Sequence, residues 1–187
     1  GKKPKIKDEE EAKALLERCN GEYIVSSISK KQKKKQPKLP FTTSTMQQEA
    51  STKLGFGAKK TMSVAQKMYE GLITYMRSDS TRLSDIFVSD TKKFITNTYG
   101  KEYVGHVHQK NGKNTQDAHE AIRPTNINRT PESIKDHLTN DQYRLYSLIY
   151  ARTLASLMKD AVYDVTSVKI TNNDLEFSAS GQTMTFD

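Results

Sequence analysis

The feature that most constrains this chain is a hydrophobic pattern that changes period twice. Glu22 to Ser29 (EYIVSSIS) is rich in β-branched residues and reads as a strand. From Val162 the same pattern returns as VYDVTSVKI, a turn at Asn172-Asn173-Asp174, and then LEFSAS. Between these stretches the sequence reads as helix and loop. The two β parts are therefore expected to share one sheet, with the helices inserted between them in an α+β arrangement. Ahead of the first strand, Asp8 to Cys19 reads as a short helix, with acids in its first turn and Asn20-Gly21 as a stop. Lys30 to Lys38 holds six lysines and no acid, with Pro37 and Pro40 close by. It reads as a solvated linker or a strand extension, and a domain boundary is placed there. The expected division is 1–38, 39–160 and 161–187.

Within the helical middle, Thr43, Ser44 and Thr45 offer N-caps for a helix running through Leu54, and Gly55 suits the position after its end. Gly55-Phe56-Gly57 is a turn. Thr61 or Ser63 caps a second helix, which stops at Gly71. Two short helices joined by a glycine turn have the pattern of a helix-turn-helix, a weak signal by itself. Leu72 to Met76 suits a short strand or wing, and Ser84-Asp85 opens a third helix that ends near Tyr99-Gly100. Residues 101–130 read as an irregular loop with one ordered motif. Thr130-Pro131-Glu132 starts a short helix with proline at its first position. Asn140 to Met158 is the longest helix, and its Tyr143, Tyr146 and Tyr150 suit packing better than ligand stacking.

Charge narrows the partner. Thirty Lys and Arg face 22 Asp and Glu, for a net charge of +8. A basic surface of that size favours polyanions, because phosphates release counterions when lysine or arginine neutralises them. Nucleic acid leads; an anionic membrane surface, or no such partner, are the alternatives. No apolar run approaches the length of a transmembrane helix, and the basic Gly1–Lys7 lacks the apolar region of a secretory signal. The single Cys19 excludes an intramolecular disulfide and a cysteine-rich zinc site, and it fits a reducing, cytoplasmic compartment.

Two segments carry possible chemistry. In Gly71-Leu-Ile-Thr-Tyr-Met-Arg-Ser-Asp-Ser80, Tyr75 stands two residues before Arg77 in a stretch that reads as extended, so both side chains are expected on one side. A phenol is a poor nucleophile near neutrality. A guanidinium beside it favours the phenolate, binds a phosphate oxygen and stabilises charge developing on a phosphoryl group. That is the chemistry of a covalent phosphotyrosine. A packed ring beside a surface charge is the plainer reading of the same spacing. Asp79 either pairs with Arg77 or caps the following turn. The second segment, Asp117-Ala-His-Glu-Ala-Ile-Arg-Pro-Thr125, offers His119 and Arg123 to a phosphate. The zinc-protease pattern fails there, because Arg123 stands where a second histidine is needed. His106 and His108 suit either a metal or a plain surface.

These segments make the sequence recognisable. Leu39 to Asp85 (LPFTTSTMQQEASTKLGFGAKKTMSVAQKMYEGLITYMRSDSTRLSD) and Gln116 to Thr125 (QDAHEAIRPT) resemble the type IA DNA topoisomerases, and most closely the bacterial topoisomerase I branch. Met76 before Arg77 looks like that branch, while Ser78 stands where threonine is commoner. The resemblance implies that Tyr75 attacks a backbone phosphate of single-stranded DNA, leaving a 5′-phosphotyrosine and a 3′-hydroxyl, and that Arg77 positions that phosphate. His119 and Arg123, with Ser44 and Gln47, are implied as DNA contacts. It also implies a catabolite-activator-like helix-turn-helix in a tyrosine domain hung on a β-rich arch. Strand passage and religation would then proceed without ATP.

The family's magnesium-binding acids lie in a TOPRIM domain that nothing in these residues resembles. The chain is accordingly expected to be a fragment whose partner is the remainder of the same topoisomerase, and to be inactive alone in relaxing supercoils. A non-catalytic, winged-helix-like DNA-binding module is the alternative.

Overall fold

In the computed structural model, which describes residues 5–69, 71–107 and 119–186, the chain forms two compact units. One comprises Gly1–Lys35 with Ala161–Asp187, and the other Gln36–Asp160. His108 and Asp117 lie outside the described residues.

The first unit holds helix α1 (Glu9–Arg18) and a three-stranded antiparallel sheet of β1 (Ile24–Lys35), β2 (Ala161–Asn172) and β3 (Leu175–Phe186), in that order. The Asp8 carboxylate caps α1 by accepting from the Glu11 N–H. Tertiary pairing decides the fate of the lysine run: Lys30 to Lys35 lie opposite Thr166 to Ala161 of β2, so they are strand rather than linker. Asn173 takes a left-handed φ of 52° in the β2–β3 turn, a conformation asparagine tolerates. The Asn172 side-chain amide donates to the Asn20 and Glu22 carbonyls, and that of Asn173 to the Arg18 carbonyl. These bonds tie the end of α1 to the turn. None of the β1 residues is buried.

The second unit contains α2 (Thr43–Leu54), α3 (Ala58–Tyr69), α4 (Asp85–Thr98) and α5 (Asn140–Ser156). Short 3-10 turns lie at Lys101–Tyr103 and Glu132–His137. Phe41, Met46, Met68, Ile73, Ile122 and Leu145 are among the fully buried side chains of its core. The N-cap of α2 is Thr42, one residue before the expected candidates. Its hydroxyl accepts from the Thr45 N–H, while the Thr45 hydroxyl accepts from the Thr42 N–H, a reciprocal cap built from two threonines. Gly55 closes α2 with a left-handed φ of 69°, which a side chain would strain. Helix α3 starts at Ala58, earlier than Thr61 or Ser63. Thr61 is buried within the helix and donates to the Gly57 carbonyl instead. The link between α2 and α3 is thus three residues, the connectivity of a helix-turn-helix. The Thr139 hydroxyl caps α5, and the tyrosines Tyr146 and Tyr150 are buried.

Glu49 on α2 ties the unit together. It receives Arg152 of α5 at 2.7 Å, Lys38 at 3.1 Å and Lys53 at 3.2 Å, while Arg152 also donates to the Leu39 carbonyl and lies over the Phe41 ring. Burial alone would raise the Glu49 carboxyl, but the hydrogen bonds from Lys38 and Lys53, with Arg152 beside it, hold it below the usual range.

Candidate active site

The segment 71–82 runs extended between the N-terminus of α2 and residues 119–125, and backbone and hydroxyl bonds fix it from both sides. The Thr43 N–H donates to the Ser78 carbonyl at 2.8 Å, and the Ser78 N–H donates to the Thr43 hydroxyl at 2.9 Å. That hydroxyl donates in turn to the Met76 carbonyl at 2.7 Å. On the other side, Thr74 and Arg123 pair through the Thr74 N–H and the Arg123 carbonyl at 2.9 Å, and the Thr74 hydroxyl donates to the Ala121 carbonyl at 2.7 Å. The Ser78 hydroxyl donates to the Glu120 carbonyl at 2.6 Å. Leu72 to Met76, expected as a strand or wing, instead makes a single β-bridge, Ile73 to Pro124. Its hydrogen-bonding edges are taken by loop and helix-cap groups rather than by a long partner strand.

Within this segment the side chains alternate. Met76, Ser78 and Ser80 are buried, while Tyr75, Arg77 and Asp79 are exposed. The inward residues anchor the backbone, and the outward ones are presented to solvent. Tyr75 and Arg77 are therefore both presented to solvent, each in the wall of a cleft. The Tyr75 ring is 41% exposed, meets Tyr69 edge-on at 5.2 Å, and its phenol has no hydrogen-bond partner among the described residues. The contrast with the packed tyrosines is direct. The Tyr146 hydroxyl donates to the Arg129 carbonyl and the Tyr150 hydroxyl to the Ile127 carbonyl, both at 2.7 Å. Burial raises both of those phenols, Tyr146 to about 12.

Two open clefts share Ser78 and His119 in their walls. One, of about 360 Å³, includes Tyr75, Tyr69, Thr74 and Glu120 in its lining. The other, of about 440 Å³, includes Arg77, Asp79, Thr43 and Ser44. Of the two shared residues His119 is the exposed one, and Ser78 is buried. Ser44 brings the N-terminus of α2 to the second cleft. Its N–H has no acceptor among the described residues, so the positive end of the helix dipole faces that space. A phenol hydroxyl thus lines one cleft, a guanidinium and a free amide line the other, and an imidazole stands in the walls of both, groups suited to contacting a phosphate diester. Asp79 forms no ion pair with Arg77 within 4 Å.

Two of the expected DNA contacts sit differently. Gln47 is half-buried a turn into α2 and lines neither cleft. Arg123 is turned into the protein: its Nε donates to Glu120 at 3.0 Å, its Nη1 to the Pro124 carbonyl at 2.9 Å, and its guanidinium stacks on Phe87 at 4.2 Å. Its side chain is 12% exposed. It holds Glu120, which lines the Tyr75 cleft. Sequence reasoning missed Thr43 and Thr74 as supports, because their partners lie 33 to 49 residues away along the chain. Among the described residues no group of three His, Cys, Asp or Glu is placed to hold a metal ion.

Two helices joined by a three-residue turn lie in a unit inserted in sequence between strands of one sheet, and the same unit carries the Tyr-Met-Arg step with Tyr75 and Arg77 exposed. The chain belongs to the type IA DNA topoisomerase family, whose sequence model, described as DNA topoisomerase, matches residues 1–187. It is similar in structure to full-length topoisomerase I from Thermotoga maritima, with 40% identity and a TM-score of 0.83, across all of this chain and 32% of that one. The chain thus spans about a third of that relative's length.

Proposed function

We propose that these residues form the tyrosine-bearing part of a type IA topoisomerase, which cuts one DNA strand, passes a strand through the gap and religates it. The observation that carries this reading is the exposed Tyr75 phenol on a pinned segment, with Arg77 exposed two residues on and His119 in the walls of both clefts.

The Tyr75 Oη attacks the phosphorus of a backbone phosphodiester. The bond to the 3′-oxygen breaks as the bond to Tyr75 forms, the phenol proton is lost and the departing 3′-oxygen gains one. Arg77 and the Ser44 N–H bind non-bridging oxygens, and His119 holds the phosphate from the tyrosine side. Religation runs the same steps backwards, and no ATP is consumed because the phosphotyrosine conserves the bond energy. Arg123 acts one step removed, by orienting Glu120 and the 119–125 segment. The N-terminal turn of α2 sits where the pinned segment needs its partners, so the same threonines serve fold and site.

Of the described acids near the site, Glu120 is paired with Arg123 and Asp79 has no ion pair among the described residues. The metal expected for this family is proposed to bind acids of a TOPRIM domain outside these residues. Supercoil relaxation by the 187 residues alone is therefore not expected. The partners proposed are single-stranded DNA and the remainder of the same topoisomerase, in the cytoplasm. No described helix is long and apolar enough to cross a membrane.

A label-transfer assay tests the reading. A 3′-labelled single-stranded oligonucleotide is mixed with the chain, a TOPRIM-containing portion and magnesium. The label is expected to move to protein mass with the wild type and not with Tyr75→Phe, whose DNA binding survives. Equal transfer by Tyr75→Phe would refute it.

A further inference from the structure

The lysine run on β1 takes no part in the site above, and the strand register divides it between two faces. Lys31, Lys33 and Lys35 lie opposite Val165, Tyr163 and Ala161, while Lys30 and Lys34 lie opposite Thr166 and Val162. Residues directly opposite one another share a face. The face of Lys30 and Lys34 also carries Val25, Ile28, Val168, Ile170 and Phe177, and it includes Asp164, opposite Gln32. It is the apolar face, and its two lysines flank an acid.

The other face is polar and basic. Beyond its three lysines it presents Ser29, Ser167, Ser180 and Gln182, with Val165, Ala161 and Met184 as its apolar members. Its one carboxylate in the paired strands, Glu176, is bonded to Lys169 at 3.0 Å. Among the described residues of the paired strands no acid is therefore left on this face to neutralise the row. Lys31, Lys33 and Lys35 are all exposed. They stand about 6.6 Å apart, two strand residues per step, a step comparable to that between successive phosphates of an extended nucleic-acid strand. Tyr163 sits beside Lys33 at the middle of the row. An even row of cations beside an aromatic ring is the arrangement that tracks a single strand by its backbone without reading its sequence.

We propose that the sheet face bearing Lys31, Lys33 and Lys35, in the unit that does not carry Tyr75, binds the phosphodiester backbone of single-stranded DNA. The proposal rests on DNA being the partner of this family, and not on the chemistry assigned to Tyr75. Charge complementarity selects the occupant: three unneutralised cations on one face, in a chain of net charge +8.

The test is single-stranded oligonucleotide binding by the full chain as a function of salt. Three lysine contacts to a single strand contribute about 2 to the slope of log K against log salt. The triple variant Lys31→Gln/Lys33→Gln/Lys35→Gln is expected to lower that slope by about 2 and to weaken binding at least about tenfold at low salt. The triple Lys→Arg variant is expected to retain the slope. Lys30→Gln/Lys34→Gln, on the opposite face of the same strand, is expected to leave it nearly unchanged. All these side chains are exposed, and circular dichroism confirms that each variant is folded.

An unchanged slope in the triple variant overturns the proposal. So does an equal loss in the opposite-face variant, which would mean diffuse charge rather than a face. A slope change seen with duplex DNA and not with single strands also overturns it. Arg77→Ala separates the two readings: weaker binding there, with no effect of the lysine triple, leaves the tyrosine site standing and removes the lysine face. The reverse result does the opposite.

Discussion

At the scale of single residues, the site depends on hydroxyls whose bonds go to the backbone. Thr43 bonds the backbone of the Tyr75 segment at Met76 and Ser78, and Thr74 bonds it to Ala121. Replacing Thr43 by valine keeps the shape and removes those bonds. The expected cost is about 1–2 kcal/mol in chemical denaturation, with adduct formation falling further because the nucleophile loses its fixed position. An equal loss in stability and adduct rate would mean that Thr43 supports only the fold. Gly105 is constrained more severely. A Cβ there would stand 2.1 Å from the Met158 carbonyl oxygen, backbone that cannot swing aside. Gly105→Ala is expected to destabilise by roughly 2–4 kcal/mol or more, read as a lower denaturation midpoint.

At the scale of elements, the Glu49–Arg152 pair joins α2 to α5 and holds the 38–41 segment against both. The Glu49 carboxyl is held below its ordinary value of 4.5, so its contribution to stability is full above that pH and is lost as pH falls through the lower folded value. Denaturation midpoints of the wild type are expected to fall on that acid side, and Glu49→Gln is expected to be less stable at neutrality by about 2 kcal/mol, with a flatter acid limb. A parallel acid limb in the two proteins would place the acid sensitivity elsewhere.

Most elements were legible in the sequence because their signals are local. Asp8 and the acids after it mark α1, Gly55 ends α2, Ser84-Asp85 opens α4, and the Asn172-Asn173-Asp174 turn separates β2 from β3. Boundaries that depend on distant partners were not legible. Lys30 to Lys35 have the composition of a linker and became strand only through pairing with β2. Thr42 was hidden among neighbouring hydroxyl residues, and its cap partner is a threonine where the usual pattern has Glu or Gln. The inward turn of Arg123 likewise follows from Phe87 and Glu120 together, a combination that spacing alone does not reveal.

At the scale of the whole molecule, chemistry and charge fall in different units. The helical unit carries Tyr75, Arg77 and His119, and the sheet unit carries the lysine row. The proposed nucleophile is legible in a sequence motif, whereas the lysine face follows from the strand register. The most direct measurement is peptide mapping of the nuclease-trimmed covalent adduct formed in the presence of the TOPRIM-containing portion. The expected result is one nucleotide-bearing peptide spanning Gly71 to Arg77, modified on Tyr75 and linked through the 5′ end of the DNA. A modification on any other residue, or a link through the 3′ end, would contradict the assignment of Tyr75 as the nucleophile of a type IA site.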